Sequence, residues 1–139
     1  MIATAFVDTN VLLYSVSRRA EERAKRNRAR EVLSQDGLAI SSQVLQEFFV
    51  QATRKGGLEL PQTEAVEIMG PFRKLIVVPI TANLVFDAIQ FRLRHRISYW
   101  DAAILVAARE AGAARLYSED LAHGHDYEGV VVENPFRPE

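Results

Sequence analysis

The segment AFVDTNVLLY (residues 5–14) decides the fold, because an apolar run, a carboxylate and the start of a helix follow one another directly. We predict that Ile2 to Val7 forms the first strand. Three polar residues, Asp8, Thr9 and Asn10, then open the helix that follows. A buried strand that passes through a short polar turn into a helix is typical of α/β proteins.

The same alternation of short apolar runs and longer segments of helical period continues along the chain. Further strands are predicted at Leu38 to Ile40, Ile76 to Val78, Arg115 to Ser118 and Val130 to Val132. Helices are predicted from Ala20 to Gln35, after Ser41 or Ser42, from Pro61, from Ala82 and after Ser98. This order predicts an α/β fold with a central, mainly parallel sheet covered by helices.

Apolar spacing predicts which helical faces are buried. The helix after Ser41 or Ser42 presents Val44, Leu45, Phe48, Phe49 and Ala52. The helix from Ala82 presents Ala82, Val85, Phe86, Ile89 and Leu93, which leaves Arg92, Arg94 and Arg96 largely off that face. Gly37 is placed to act as a left-handed stop for the charged helix, and Gly56-Gly57 closes the next one.

Composition describes one globular domain spanning residues 1–139. The chain is 48% hydrophobic and 25% charged, which is ordinary for a protein of 139 residues. It contains no cysteine, which excludes disulfides and cysteine-ligated zinc. The first residues lack a basic segment followed by a long apolar run, so we expect a cytoplasmic protein without a membrane anchor.

The formal net charge of −1 neither attracts nor repels a polyanion, so any affinity for nucleic acid depends on how the charge is distributed. Basic residues crowd two segments: Arg18, Arg19, Arg23, Lys25, Arg26, Arg28 and Arg30, and then Arg92, Arg94, His95 and Arg96. Glutamates interrupt the first segment, so a helix with i,i+4 ion pairs is as good an interpretation as an RNA groove. Tyr99 and Trp100 can stack on bases, although packing is the commoner role of such a pair.

Four carboxylates are candidates for one site. Asp8 and Asp120 each follow a predicted strand, and ligands of open α/β sheets bind beyond the carboxyl ends of the strands. Asp101 lies in the first turn of its helix, and Glu47 lies in the helix after the second strand. Oxygen ligands suit hard cations, so a cluster of these acids predicts bound Mg²⁺ or Mn²⁺.

Each acid also has a purely structural interpretation. Asp8 is an ordinary cap between a strand and a helix. Asp101 fits a capping box that begins at Ser98. Glu47 falls roughly 130° from the centre of its helix's apolar face at 100° per residue, which is typical of a solvated side chain. Asp120 fits a turn. The joint occurrence of all four acids in one order nevertheless favours a site.

These acids lie in sequence blocks that resemble the four acidic blocks of the PIN domain, in the same order and spacing, and most resemble the VapC-type toxins of bacterial toxin–antitoxin pairs. The blocks are Asp8-Thr9-Asn10, Glu47 after Ser41-Ser42-Gln43-Val44, Ser98-Tyr99-Trp100-Asp101-Ala102 and Ser118-Glu119-Asp120. The resemblance extends from the first strand to Asn134-Pro135-Phe136. It implies a PIN-like three-layer α/β/α sandwich.

The resemblance also implies an activity, hydrolysis of RNA by a metal-dependent endoribonuclease that leaves a 3′-hydroxyl and a 5′-phosphate. The implied catalytic and metal-binding acids are Asp8, Glu47, Asp101 and Asp120, with Thr9, Asn10 and Ser118 in support. Some relatives carry a further acid where this chain has Leu121-Ala122-His123, so one firmly held Mg²⁺ or Mn²⁺ is expected. The expected partners are RNA, a small antitoxin protein and a second copy of the chain.

Other functions stay open at this point. A housekeeping PIN nuclease of RNA maturation or decay would use the same acids, and a catalytically silent PIN fold would serve only as a protein-binding module. The presence of all four acids favours an active enzyme over the silent module. An aspartyl phosphotransferase would need a second acid at position 10, where this chain has Asn10.

Overall fold

A computed structural model of the chain describes residues 2–138 and contains six strands and six α-helices within that range. The strands are β1 (Ala5–Val7), β2 (Leu38–Ser41), β3 (Ile76–Val78), β4 (Arg115–Tyr117), β5 (Asp126–Tyr127) and β6 (Val130–Glu133). The α-helices are α1 (Thr9–Ser15), α2 (Arg23–Leu33), α3 (Ser42–Thr53), α4 (Gln62–Met69), α5 (Ala82–His95) and α6 (Tyr99–Glu110). Short 3₁₀ helices precede α2 (Ala20–Glu22) and follow α4 (Gly70–Lys74). None of the helices in the described range is long and apolar enough to cross a membrane.

The six strands form one sheet in the order β3-β2-β1-β4-β6-β5. All neighbouring strands are parallel except β5, which pairs antiparallel with β6. Helices α3 and α6 pack against the sheet, and α5 packs on α6 while α1 packs on α2 and α3. The predicted α/β class with a central, mainly parallel sheet in a three-layer α/β/α arrangement is confirmed.

The first strand is shorter than predicted because its early residues bond to turns instead of to neighbouring strands. The Ala3 amide donates to the Ala111 carbonyl oxygen at 2.9 Å, and the Thr4 amide donates to the Gly37 carbonyl oxygen at 2.8 Å. Strand pairing begins only at Ala5, which lies opposite Leu38 of β2. The prediction of a strand from Ile2 was therefore too long at its start.

The charged helix also differs from its prediction. It begins as a 3₁₀ turn at Ala20 and ends at Leu33, ahead of the predicted end at Gln35. Gly37 does have a left-handed backbone, with φ of +75°, but it lies beyond the helix and shapes the turn into β2. A Cβ atom at this position would lie 2.6 Å from the side-chain hydroxyl oxygen of Thr4, so the positive φ and this contact together favour glycine.

The predicted buried face of α5 was wrong. Leu84, Ala88 and Phe91 are buried, whereas Phe86 and Leu93 are 67% and 66% exposed. Both sets of residues repeat at helical spacing, so periodicity cannot choose between them. The choice is made by packing against α6, where every residue from 102 to 108 is buried and four alanines allow a close approach.

Candidate active site

The site lies where the connections of the sheet reverse direction. From β1 the chain crosses to β2 on one side, and it later returns to place β4 on the other side of β1. Crevices outside the carboxyl ends of strands at such a point are the usual ligand sites of open α/β sheets. Val7 and Tyr117 are paired at this edge, so the residues that follow them, Asp8 and Ser118, are brought together.

Asp8 is the most buried acid of the site, with 5% of its surface exposed. It is the N-cap of α1, where its Oδ1 accepts a hydrogen bond from the Thr9 amide at 2.8 Å. The Ser118 hydroxyl donates to its other oxygen, Oδ2, at 2.7 Å. Burial raises the pKa of Asp8 to about 7, against the lowering effect of these two donors, and the charges of Asp120 and Glu47 raise it further.

Asn10 links the acids that follow β1 and β4. Its Nδ2 donates to Asp120 Oδ2 at 3.1 Å and lies 3.5 Å from Asp8 Oδ2. Its side-chain oxygen accepts from the Glu119 amide at 3.4 Å, and the Asp120 amide donates to Ser118 Oγ at 3.1 Å. Neutral amide and hydroxyl groups therefore hold the two carboxylates in place without neutralising their charge.

Glu47 lies at the same crevice although its helical position is typical of a solvated residue. Its Oε1 accepts a hydrogen bond of 2.9 Å from the Thr9 hydroxyl, and the side chain is half-buried. Periodicity correctly placed Glu47 off the apolar face of α3. That side of the helix faces α1 instead of open solvent, a tertiary contact that the pattern of one helix cannot reveal.

Asp101 enters the crevice from the first turn of α6. Ser98 is the N-cap of this helix, and its hydroxyl oxygen accepts from the Asp101 amide at 3.1 Å, which is the Ser98 half of the predicted capping box. Burial raises the pKa of the Asp101 carboxyl, the Ser98 hydroxyl lowers it, and the charge of Asp120 raises it. The backbone amide of Asp101 thus takes part in the helix cap, while its carboxylate is close enough to Asp120 to be repelled by that charge.

All four predicted acids line a single cleft of about 370 Å³. The residues of its wall that bear on chemistry are Asp8, Glu47, Asp101, Glu119 and Asp120 among the acids, Thr9, Asn10, Gln43 and Gln51 among the neutral polar residues, and Arg19, Arg54 and Trp100. The four predicted acids come from four separate segments of the chain, and Glu22 lines the cleft from a fifth. The fold therefore concentrates negative charge in one concave site.

The donor chemistry of the cleft suits a hard divalent cation. Among residues 2–138, no three Asp, Glu or His side chains are placed to hold a metal ion together. Mg²⁺ does not require that arrangement, because it keeps several waters and is usually bound by one or two carboxylates. The carboxylate oxygens of buried Asp8 and of exposed Asp120 are held by neutral donors and not by a cation. Oxygen donors of this kind fit such an ion.

Sequence reasoning missed a neutralised fifth acid beside this cluster. Glu119 Oε2 pairs with the Lys25 ammonium at 2.7 Å, and the Tyr14 hydroxyl donates to Oε1 at 2.6 Å. The Lys25 ammonium also donates to the Tyr14 hydroxyl at 3.1 Å, and its hydrogen bond to Glu119 raises the pKa of Lys25. Only the position of Glu119 next to Asp120 signalled its role, because Lys25 is remote in sequence.

Several residues of the first basic segment, Arg18 to Arg30, form hydrogen bonds to other parts of the chain. The Arg30 Nε donates to the Ser15 carbonyl oxygen, and the Arg28 Nε donates to the Pro135 carbonyl oxygen, each at 3.0 Å. Within α2, the ion pair among the described residues joins Arg28 and Glu31 at i,i+3. Of the two interpretations of this segment, the ion-paired helix is therefore seen as an i,i+3 pair instead of i,i+4 pairs, and α2 also bonds to other segments.

The raised pKa of Asp8 predicts how pH changes the stability of the metal-free protein. Between the ordinary value of 3.8 and about 7, the folded state binds more protons at Asp8 than the unfolded state does. The free energy of unfolding should therefore fall as pH rises through this window. Asp101 contributes with the same sign. We expect Asp8→Asn to make this decline shallower, as measured by thermal unfolding of metal-stripped protein from pH 5 to 8.

Asp36→Asn is the matched control for this measurement. Asp36 is exposed and lies ahead of β2, at the opposite edge of the sheet from the cleft. The control should keep the full pH dependence of the unmodified protein. An Asp8→Asn protein whose unfolding temperature declines as steeply as that of the control would contradict a raised pKa at buried Asp8.

Comparison with known proteins agrees with this fold. The family model of the PIN domain matches residues 5–124. A toxin–antitoxin complex from Klebsiella pneumoniae contains a chain with a similar structure, with a TM-score of 0.72 and 20% identity over 96% of this chain and 99% of that one. VapC20 of Mycobacterium tuberculosis, described as a sarcin–ricin loop cleaving toxin, has a TM-score of 0.66 and 22% identity over 84% of this chain and 89% of its own.

A third similar structure is that of DNA-bound VapBC from Salmonella typhimurium, with a TM-score of 0.68 and 18% identity over 97% of this chain and 99% of that one. No curated protein matches the chain significantly in sequence. At sequence identities this low, structural similarity establishes a shared fold and no more. The family model, however, covers well over half of the sequence. The chain therefore belongs to the PIN domain family.

Proposed function

We propose that this protein is a Mg²⁺- or Mn²⁺-dependent endoribonuclease that hydrolyses RNA phosphodiester bonds. The observation that carries the proposal is the convergence of Asp8, Glu47, Asp101 and Asp120 on one cleft at the switch point of the sheet. Burial raises the pKa of Asp8, and the charges of Asp120 and Glu47 add a smaller rise, so this carboxylate is costly to keep charged without a cation. A divalent cation would stabilise the charged form of these acids, and it could also activate a water for phosphodiester hydrolysis.

The residues of the cleft have separate tasks in this reaction. Asp8, Glu47, Asp101 and Asp120 would hold a divalent ion, which would supply an activated water and stabilise charge on the attacked phosphate. Ser118 and the Thr9 amide fix the two oxygens of Asp8, and Asn10 fixes Asp120. The Thr9 hydroxyl orients Glu47. These donors hold the acids before substrate arrives, which lowers the reorganisation that the transition state requires.

The cellular role that we propose is that of the toxin of a type II toxin–antitoxin pair, acting as a homodimer in the cytoplasm on RNA. Support comes from the similar chains in a toxin–antitoxin complex and in VapBC, and from VapC20, a toxin described as cleaving the sarcin–ricin loop. The antitoxin would be a small protein that closes the acidic cleft. A housekeeping PIN nuclease is the alternative, and it would share the chemistry but not the partner.

A cleavage assay with metal depletion tests the proposed activity. Purified protein should cleave structured RNA with Mg²⁺ or Mn²⁺, lose the activity in excess chelator and regain it when the metal is restored, because the ion provides the nucleophile. An Asp8→Asn preparation, purified in the same way, controls for contaminating ribonucleases. Cleavage that survives thorough chelation, or that the Asp8→Asn preparation shows equally, would contradict the proposal.

A further inference from the structure

Trp100 stands at the mouth of the cleft with 64% of its surface exposed. It is the only tryptophan of the chain and the direct neighbour of Asp101. The buried Gln43 donates from Nε2 to the Trp100 carbonyl oxygen at 3.2 Å, which ties the start of α6 to α3. The Tyr99 ring lies edge-on, 5.1 Å from the indole between centroids. The backbone is therefore anchored while most of the indole surface is left uncovered.

The surroundings of this indole favour a small planar ligand over a protein surface. The cleft wall is mixed: Gln43, Gln51 and Asp101 are polar, and its apolar part is limited to a few side chains such as Ile104, one turn along α6. Protein docking sites usually surround an exposed aromatic with further apolar area. A nucleobase instead needs one aromatic face for stacking and polar groups around its edge.

Helix α3 supplies a polar stripe along the same cleft. Gln43, Glu47 and Gln51 are spaced at i, i+4 and i+8, so they follow one side of the helix. Arg54 is the C-cap directly after α3, and it lines the cleft together with these three residues. The seven residues from Glu47 to Arg54 correspond to about 10 Å along the helix axis. The cleft therefore carries a positive charge at Arg54, two turns away from the acid cluster.

The turn at Gly56 and Gly57, which follows Arg54, is held in place by close packing and hydrogen bonds. A Cβ atom at Gly57 would lie 2.0 Å from the Gln51 carbonyl oxygen, so only glycine allows this turn to fold over the end of α3. The Arg19 guanidinium donates to the carbonyl oxygens of Gly57 at 2.6 Å and Gly56 at 3.4 Å. Arg54 itself is exposed and makes no side-chain hydrogen bond or ion pair with another residue between 2 and 138.

We propose that Trp100 stacks on an unpaired RNA base next to the cleaved bond and that Arg54 binds a backbone phosphate about 10 Å along the same strand. This inference rests on the proposed ribonuclease function and adds the residues that position the substrate. Stacking requires a base that is not covered by neighbours in a duplex. Trp100 therefore selects an unpaired segment, and Arg54 contributes affinity without reading the base.

Intrinsic fluorescence tests the stacking step directly, because every tryptophan signal of the chain comes from position 100. The measurement uses a Glu47→Gln protein, which is expected to leave RNA uncut, and an unpaired twelve-nucleotide RNA. We expect this RNA to quench the fluorescence by at least half at saturation. The same RNA annealed to its complement should bind more weakly and quench little. Anisotropy of a dye-labelled RNA measures binding independently of quenching.

Matched variants separate stacking from general affinity. Trp100→Ala should weaken binding of the unpaired RNA by about 5- to 150-fold, and Trp100→Phe, which keeps an aromatic face, should retain most of it. Phe86→Ala removes an equally exposed aromatic side chain from α5, outside the cleft, and should change nothing. Arg54→Gln should reduce the slope of log Kd against log salt by about 0.7. Arg73→Gln should not, because Arg73 is exposed in the 3₁₀ helix after α4 and does not line the cleft.

The possible outcomes distinguish this inference from the function on which it rests. RNA that binds by anisotropy without quenching, or a duplex that quenches as strongly as the unpaired strand, would overturn the stacking role and leave the ribonuclease proposal intact. Quenching by a co-expressed neighbour protein, with none by RNA, would assign Trp100 to a protein interface and overturn the inference. Failure of the metal-depletion assay with the unmodified protein would overturn the ribonuclease function itself.

Discussion

Replacing Glu47 with glutamine is expected to lower RNA cleavage by more than about 100-fold, because loss of even an outer-shell partner of a metal site costs about 10- to 100-fold. The substitution removes one negative charge and keeps the size of the side chain. Initial rates on one RNA at saturating Mg²⁺ or Mn²⁺ provide the measurement. The effect should appear mainly in kcat, because Glu47 acts on the reacting centre.

The fold of the Glu47→Gln protein should be unchanged. Glutamine keeps an oxygen that can accept the hydrogen bond from the Thr9 hydroxyl, and it has a helix propensity close to that of glutamate. The free energy of unfolding should therefore stay within about 0.5 kcal/mol of that of the unmodified protein. Lost cleavage with retained stability would separate a role in the site from a role in folding.

Glu67→Gln is the matched control, because Glu67 is exposed on α4 and does not line the cleft. It should cleave RNA at the normal rate. Expression in a bacterial host extends the comparison: the unmodified protein and Glu67→Gln should slow growth, and Glu47→Gln should not. A neighbouring antitoxin gene, when co-expressed, should relieve the inhibition. A fully active Glu47→Gln enzyme would show that this glutamate is a solvated helix residue.

Local sequence patterns predicted the acids that follow strands, because the sheet itself brings them together. Asp8 and Asp120 follow parallel strands that are direct neighbours, and the carboxyl ends of such strands share one edge. A strand followed by a polar residue is visible in the sequence. The parallel direction of the strands then follows from the helices between them, so the convergence of these two acids did not depend on side-chain detail.

Features that depend on contacts between distant segments were not predictable in the same way. Periodicity describes one helix by itself, so it could not show that α5 buries the face of Leu84 and leaves Phe86 exposed. The pair of Lys25 and Glu119 joins positions that share no local pattern. Strand β5 was missed because it has two residues and leads into a Glu128-Gly129 turn, in which both residues have positive φ without the usual Asn-Gly sequence.

Asp101→Asn is expected to abolish most of the stabilisation that Mn²⁺ gives to the folded protein. A ligand that binds only the folded state stabilises it by RT ln(1 + [L]/Kd), about 2.7 kcal/mol at a hundredfold excess over Kd. If the Asp101 carboxylate helps to hold the ion, its neutral replacement weakens binding and loses most of that increment. Thermal unfolding with chelator and with Mn²⁺, for the variant and for Asp36→Asn, measures the difference.

The metal-free arm of this experiment separates the two roles of Asp101. The bond of the helix cap runs from the Asp101 amide to Ser98 Oγ, and asparagine keeps that amide. If the negative charge mattered mainly to the helix terminus, its loss would cost about 0.3–1 kcal/mol with or without metal. The raised pKa of Asp101, caused by burial and by the charge of Asp120, predicts instead that neutralisation leaves the metal-free protein as stable as before or more so. Uniform destabilisation with an intact Mn²⁺ increment would therefore assign Asp101 to the helix cap alone.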